Sequence, residues 1–347
     1  MAAMKRVARP TTAADAPAIR ELFAAVALHP NIDAQALDWK YWQPRADWEG
    51  PRSFVLNDDD VPVAHGAIIP NCCAWKGQRI SVIHVIDWAA RPGVVGAGVA
   101  LMKHIGRQAQ ALLAIGGSAQ TQQILPLIGF RDVGVVTGYV RTLHPLRLLR
   151  SGGLPAWRLV PRFARSVMWT LGARSTAGSD WQTRRVAAAD VAAVEQVLPV
   201  PTRGMAVLER STELFRYALA CPIVPMELHV IERMGRVRGY FLLASAPGQV
   251  RVVDCWVDSD ERADWRALIL CAVAQAGRDA QAAEVVIWAN DPLLAEVLHE
   301  CGFHARQVAV ARLRTAQGAP MPPLPLRLQM LDCDAAFLHE GVVSYWA

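Results

Sequence analysis

Hydrophobic and polar positions between Ser81 and Phe130 change period in a definite order. The run VIHVIDWAA is mostly apolar, of strand length and rich in β-branched residues. A glycine-rich turn follows, Gly93-Val-Val-Gly96-Ala-Gly98, then VALMKHIGRQAQALL with the apolar spacing of a helix. A second short apolar run, LLAIGGS, another helix-like segment and Gly129-Phe130 complete the stretch. The pattern predicts strand, glycine turn, helix, strand, helix.

The chain also resembles itself. Arg9-Pro-Thr-Thr-Ala-Ala-Asp15-Ala-Pro-Ala-Ile19 parallels Arg184-Arg-Val-Ala-Ala-Ala-Asp190-Val-Ala-Ala-Val194, and both predict a short strand, an Asp near a helix start and an amphipathic helix. Lys40-Tyr41 parallels Arg216-Tyr217, Val85-Ile-Asp87 parallels Val252-Val-Asp254, and Gly129-Phe130 parallels Gly302-Phe303. The spacing between copies is far longer than a solenoid repeat, so it predicts tandem domains. A chain of 347 residues accommodates two. The expected boundaries are 1–145, a basic linker at 146–180, and a second domain with a C-terminal extension at 181–347.

The glycine turn carries candidate chemistry. Glycines let backbone N–H groups face an anion without Cβ clashes, and a helix N-terminus adds partial positive charge. Such a site suits a pyrophosphate. In order and spacing the segment resembles the acetyl-CoA-binding core of the GNAT acyltransferase superfamily. That family has Gln/Arg-x-x-Gly-x-Gly/Ala after its fourth strand and often a Gly-Phe pair at the end of its core. Gly96 and Gly98 fall on the family's glycines; Gly93 stands at the Gln/Arg position, with Arg91 two residues before it. Leu125 stands where the family often has a tyrosine that protonates the leaving thiolate.

The resemblance implies an α/β fold with a mixed sheet, as two tandem GNAT-like domains. It implies acetyl-CoA or another acyl-CoA as co-substrate, bound along Trp88, Ala89, Gly93, Gly96, Ala97, Gly98 and Val99. Backbone N–H groups at the end of the strand Val82–Ala89 would polarise the thioester. Ser118 and Thr121 are placed to hold the pantetheine arm, with helix capping as the alternative. After VVDCWV the second copy has no glycine turn but Asp258, Asp260, Glu261 and Asp264, which would repel an anion. The second domain therefore reads as a degenerate, cofactor-free copy.

Acyl transfer to an amine needs a proton acceptor. In a strand with period-two alternation, His84, Ile86 and Trp88 share one face and Ile83, Val85 and Asp87 the other. Asp87, a carboxylate in an apolar strand, is one candidate base, on the expectation that burial raises its pKa. Its counterpart Asp254 in the degenerate copy argues instead for a structural role. His84 is the rival. The aromatic stretch containing Trp39, Tyr41 and Trp42, together with His65 on the strand expected beside it, is a candidate acceptor pocket; large side chains packed under a sheet are the alternative.

Composition narrows the function classes. No apolar run is long enough to span a bilayer, and the first residues lack the apolar stretch of a signal peptide. Seven scattered cysteines predict free thiols in a reducing cytoplasm, and no structural metal site is expected. The net charge of +5 is uneven: from Arg141 to Asp180 there are seven arginines and one acid, interleaved with Trp157, Phe163 and Trp169. This segment reads either as a linker helix with its arginines in water or as a basic amphipathic surface for an anionic membrane or partner. No recognised nucleic-acid motif accompanies it. Three functions stay open: an N-acyltransferase acting on a small-molecule amine or amino sugar, a retired GNAT pair that binds a ligand or partner, and an aminoacyl-tRNA-dependent transferase. A homodimer is one arrangement the sequence leaves open. A Rossmann dehydrogenase is disfavoured, because no strand-then-GxGxxG unit opens the chain.

Overall fold

The computed structural model describes residues 6–28, 33–75, 77–148, 156–172, 178, 180–201, 204–322 and 324–337. The first half runs β1 (Arg6–Pro10), α1 (Ala16–Ala25), α2 (Ala34–Leu37), β2 (Ser53–Asp58), β3 (Val61–Trp75), β4 (Gln78–Ala90), α3 (Ala97–Ile105), β5 (Ala111–Ile115), α4 (Ala119–Leu127) and β6 (Arg131–Thr142). Then come α5 (Pro145–Leu148) and α6 (Ala156–Gly172). The second half runs β7 (Trp181–Val186), β8 (Ala206–Leu208), α7 (Thr212–Leu219), β9 (Met226–Arg233), β10 (Arg236–Ala246), β11 (Gln249–Val257), α8 (Arg262–Ala276), β12 (Glu284–Ala289), α9 (Pro292–Glu300) and β13 (His304–Thr315). It ends with β14 (Leu326–Arg327) and two 3₁₀ turns, Met330–Asp332 and Asp334–Ala336.

The repeat seen in the sequence is a repeat of elements. Its most local sign, the Gly-Phe pair, is a helix stop. Gly129 and Gly302 have φ of 93° and 77°, the left-handed conformation that ends a helix. The following amides close back on the helix, Phe130 N to Leu125 O at 3.1 Å and Phe303 N to Leu298 O at 2.9 Å. Both phenylalanines are buried. Two expected helices differ. The run expected as one helix from Val99 ends at Ile105, where Gly106 follows and the apolar residues Ala111–Ile115 become a strand. The second copy's helix after its Asp is a 3₁₀ helix, Ala188–Val197, with Val191, Val194 and Val197 buried at the three-residue spacing of that helix.

All fourteen strands form one mixed sheet, ordered β1-β2-β3-β4-β5-β13-β6-β12-β11-β10-β9-β7, with β8 joining β3 to β14. The centre of this order crosses the repeat. β6, the last strand of the first half, pairs with β12 of the second, from Thr142 opposite Glu284 to Thr137 opposite Ala289. β13, the last strand of the second half, pairs with β5 of the first, from Ile115 opposite Ala311 to Ala111 opposite Thr315. Each half thus completes the other's sheet, and β6 and β13 pair antiparallel between them. Core packing follows the same rule. The cluster centred on β9 to β12 includes Trp39, Tyr139 and Val140 of the first half. Trp39 stacks on Tyr217 of α7 with ring centroids 4.4 Å apart. All seven cysteines are unpaired.

Exchange predicts that the first half cannot stand alone. A fragment 1–145 leaves β5 without β13 and β6 without both of its partners, β13 and β12, exposing three unpaired strand edges and apolar surface. It is expected to aggregate and to show no cooperative unfolding. A soluble, monodisperse fragment with a sharp melting transition contradicts the exchange.

Candidate active site

The site forms where β4 and β5 part. They run parallel only at Val82, Ile83 and His84, opposite Ala111, Leu112 and Leu113. Beyond His84, β4 continues to Ala90 with no strand on that side, so alternate backbone groups of Val85–Ala90 face a gap. On its other side β4 carries a bulge: His65 of β3 faces Ala89 and Ala67 faces Ile86, so Asp87 and Trp88 of β4 lie against the single residue Gly66 of β3. The bulge breaks the strict alternation expected for Val82–Ala89. Asp87, inside it, has φ of 49°, a left-handed conformation that costs about 1–3 kcal/mol for a non-glycine residue.

Three groups hold that strained residue. Lys40 Nζ and Tyr41 Oη each donate to Asp87 Oδ2 at 2.6 Å. Both come from a single π-helical turn, Asp38–Trp42, that follows α2 and aims two consecutive side chains at one oxygen. His65 binds the backbone: its Nδ1 lies 3.0 Å from Asp87 O, and its Nε2 lies 2.9 Å from Ser53 Oγ. These partners assign Nδ1–H as donor to the carbonyl and Nε2 as acceptor from the serine. The chain continues through Thr11 Oγ1, 2.7 Å from Ser53 Oγ, to Trp42 Nε1 at 3.0 Å. Lys40, Tyr41, His65 and Asp87 are all buried.

This geometry corrects the expectation for the Asp87 pKa. Burial pushes the carboxyl up, but the Lys40 charge and the hydrogen bonds from Lys40 and Tyr41 outweigh it and hold it below the usual value. Asp87 is a fixed anion rather than a group tuned to accept protons. His84 is also buried; burial lowers its pKa to about 4, so it is neutral near pH 7. Its Nδ1 lies 3.2 Å from Leu113 O, at the point where β4 and β5 part. Its Nε2 has no hydrogen-bond partner among the described residues.

The second half repeats the clamp from different positions. Asp254 of β11 receives Arg210 at 2.8 and 3.0 Å and Tyr240 Oη at 2.7 Å. A bulge in β11 again lies beside it, since Leu242 faces Asp254 and Leu243 faces Val252. Arg210 also lies 2.8 Å from Asp332. Sequence reasoning paired Lys40-Tyr41 with Arg216-Tyr217, and those residues do sit on equivalent helices. Tyr217, however, serves the junction: its hydroxyl donates to Trp39 O at 2.8 Å and accepts from Arg52 at 2.7 Å.

The expected acceptor pocket is corrected in part. Trp39 is buried between Tyr217 and Phe337, and His65 has no exposed surface. Neither lines an open wall. Tyr41 and Trp42 do border an outward bowl with Thr11, Arg45, Trp48 and Arg52. Sequence reasoning missed Asp334, which the C-terminal 3₁₀ turn brings beside the Lys40–Asp87 pair. Burial and the Asp87 carboxylate push its pKa up to about 6. Nothing local in DCDAAF signals this proximity.

At the end of β4 lies the glycine turn. Gly93 and Gly96 have φ of 83° and 78°, and a Cβ on either would meet nothing within 4 Å. Gly96 is the N-cap of α3, and no acceptor among the described residues takes the amides of Gly96, Gly98 or Val99. Trp88 fixes the turn: its Nε1 donates to Gly98 O at 3.0 Å, and a Cβ at 98 would lie 3.3 Å from its ring, so a larger residue there would push the ring aside. Ala97 is buried beneath it. Arg6 reaches Val95 O, and Arg91 pairs with Glu21 on the rim. Ala89 faces His65 in the ladder, so it contributes backbone alone. Ser118 and Thr121 cap α4: Ser118 Oγ accepts from Thr121 N at 3.2 Å and lies 3.1 Å from Thr121 Oγ1. Leu125 is in the core.

The equivalent gap in the second half is bridged by the chain itself. β11 and β12 pair only from Gln249 to Val252, opposite Glu284 to Ile287. Across the opening beyond them runs the tail. Gln329 accepts from Cys255 N at 2.9 Å and donates to Cys255 O at 2.8 Å. Asn290, just past β12, donates to Leu326 O and accepts from Leu328 N. Arg327 sits over Trp256 and Trp265 and pairs with Asp291 at 2.9 Å. The carboxylates after β11 are thus one of two obstacles to a ligand there.

The fold as a whole occurs in known structures. The chain is similar to a GCN5-related N-acetyltransferase from Anabaena variabilis over 90% of this chain and 73% of that one, at 12% identity and a TM-score of 0.59. It is similar to Saccharomyces cerevisiae N-myristoyltransferase with bound myristoyl-CoA over 90% and 83%, at 14% identity and a TM-score of 0.63. A GCN5-related N-acetyltransferase from Kribbella flavida gives 90% and 71%, 16% and 0.53. The chain has the GNAT fold. No family model matches it, and no curated protein matches its sequence. Of the two halves, only the first has a glycine turn after this strand.

The clamp makes a quantitative prediction. Asp87→Asn leaves Lys40 buried without its hydrogen-bonded anion and is expected to lower unfolding stability by about 3–5 kcal/mol in denaturant titrations. Asp254→Asn leaves Arg210 its second carboxylate, Asp332, and is expected to cost less. A loss below about 1 kcal/mol at Asp87 shows that the carboxylate is not what holds the bulge.

Proposed function

We propose that the chain is an acyl-CoA-dependent N-acyltransferase with one cofactor site, in the first half, and a small-molecule amine as acceptor. Acetyl is the simplest acyl group and an amino sugar one acceptor class. The observation that carries this reading is the unpartnered row of amides at Gly96, Gly98 and Val99, set at the end of a bulged and splayed strand. Bound acyl-CoA would supply the activated thioester.

Each part of the chain then has a defined task. The amides of the glycine turn and the N-terminal end of α3 hold the pyrophosphate. The gap between β4 and β5 receives the pantetheine arm. Backbone N–H groups of β4 that face the gap stabilise negative charge on the acyl oxygen as the amine nitrogen attacks. The new C–N bond forms as the C–S bond breaks, and the amine gives up a proton. In this reading Asp87 fixes the bulge rather than taking that proton, because its Oδ2 holds Lys40 and Tyr41 and the Lys40 charge keeps its carboxyl below the usual value. Of the two strand candidates, His84 keeps an uncommitted nitrogen at the gap.

Gly96→Asp tests the site. Its backbone has φ of 78° and open space around it, so the added side chain strains the turn without a clash. The carboxylate repels a pyrophosphate. The wild-type chain is expected to gain thermal stability with excess acetyl-CoA or another acyl-CoA, by mass action. Gly96→Asp is expected to fold and lose that gain. A folded variant that is stabilised as strongly as wild type places the cofactor elsewhere.

A further inference from the structure

The arginine-rich segment between the halves forms α6, and its faces are arranged opposite to one reading of its sequence. A linker helix with its arginines in water would bury its apolar side. Among the described side chains of α6, from 160 to 170, the exposed ones are Val160, Pro161, Ala164 and Met168, all apolar. Val160, Ala164 and Met168 recur every fourth residue and so form one stripe along the helix. Val160 is 73% and Met168 65% exposed. The opposite side packs inward through Ser166, which is fully buried, with Trp169 half-buried.

The arginines border the stripe. Trp169 is stacked on His304 of β13 with centroids 3.8 Å apart, and the guanidinium carbons of Arg306 and Arg165 lie 4.4 and 5.0 Å from its ring. Neither Arg165 nor Arg306 has a carboxylate partner among the described residues. Burial and the charges of Arg165 and Arg162 lower the Arg306 pKa, and burial with the charges of Arg306, His299 and Arg165 lowers that of His304. Arg165 and Arg306 thus crowd one ring, and from Ala156 to Gly172 the helix has no acidic residue to offset them. An apolar stripe edged by uncompensated cations gains free energy on meeting an apolar layer behind a negative surface.

We propose that α6 docks the protein on an anionic lipid bilayer, with Val160, Ala164 and Met168 entering the headgroup boundary and Arg165 and Arg306 facing lipid phosphates. No helix among the described residues is long and apolar enough to cross a membrane, so the contact is peripheral. A bilayer fits better than a protein partner: the exposed apolar side chains lie on a convex helix face edged by cations, which suits a broad negative surface with an apolar layer behind it. The inference is independent of acyl transfer.

Flotation of the full chain with vesicles tests it. Vesicles of phosphatidylcholine and phosphatidylglycerol at roughly three to one are expected to carry the protein at about 0.05 M salt and to release most of it at about 0.5 M. Vesicles of phosphatidylcholine alone are expected not to carry it. The double variant Val160→Glu, Met168→Glu and the single variant Arg306→Glu should each weaken binding at least about tenfold with unchanged melting curves. Met168→Leu should bind as wild type does. Absence of binding to the anionic vesicles, equal binding to neutral ones, or full binding by the glutamate variants overturns the proposal. So does a lipid-free dimer in light scattering that the double variant abolishes, which would make the stripe an interface between copies.

Discussion

The structure depends on an exchange of strands. β6 and β13 each leave the half that precedes them in sequence and complete the sheet of the other. Because every hydrogen bond of those ladders joins the halves, neither half can open or slip without breaking the centre of the sheet. The junction then becomes a rigid place to build on. Trp39 of the first half lies in the second half's core, and Arg52 ties Trp39 O to Tyr217. A site at this junction has supports from both halves that are far apart in sequence.

The comparison between halves separates support from chemistry. Both carry an aspartate at the bulge of the strand that leads into the splayed gap, held by one cation and one tyrosine. In the second half the gap is bridged by the chain's own tail, yet the clamp persists. The clamp therefore answers a need of the backbone. It keeps an acceptor-rich carboxylate satisfied inside the sheet and fixes the turn of the strand beside it. What the halves do not share is the glycine-capped start of α3 and the open space before it. In their place the second half has Asp258, Asp260 and Glu261.

Local features were legible in the sequence. The glycine turn, the Gly-Phe helix stops, the internal repeat and the acids after Val257 depend on neighbouring residues, and the folded chain uses them at those positions. Features set by distant pairing were not legible. The charge beside Asp87 comes from Lys40, 47 positions away, so burial suggested a raised pKa where the partner lowers it. Gln329 reaches Cys255 over 74 positions, and no composition signal marks it as a bridge across a gap. The aromatic run near Trp39 was read as a pocket because its partner Tyr217 lies in the other half. In α6 the periodicity showed two faces but could not say which one the sheet would cover.

The central claim is that one fold has been built twice and left open once. Isothermal titration of the full chain with acetyl-CoA, and with a longer acyl-CoA if acetyl-CoA gives no heat, tests it most directly. The account predicts one site per chain, because the glycine turn offers free amides and the tail crosses the other gap. Two equivalent sites would show that Leu326–Asp332 does not block the second gap. No binding by any acyl-CoA would show that the open turn at Gly96 serves another ligand.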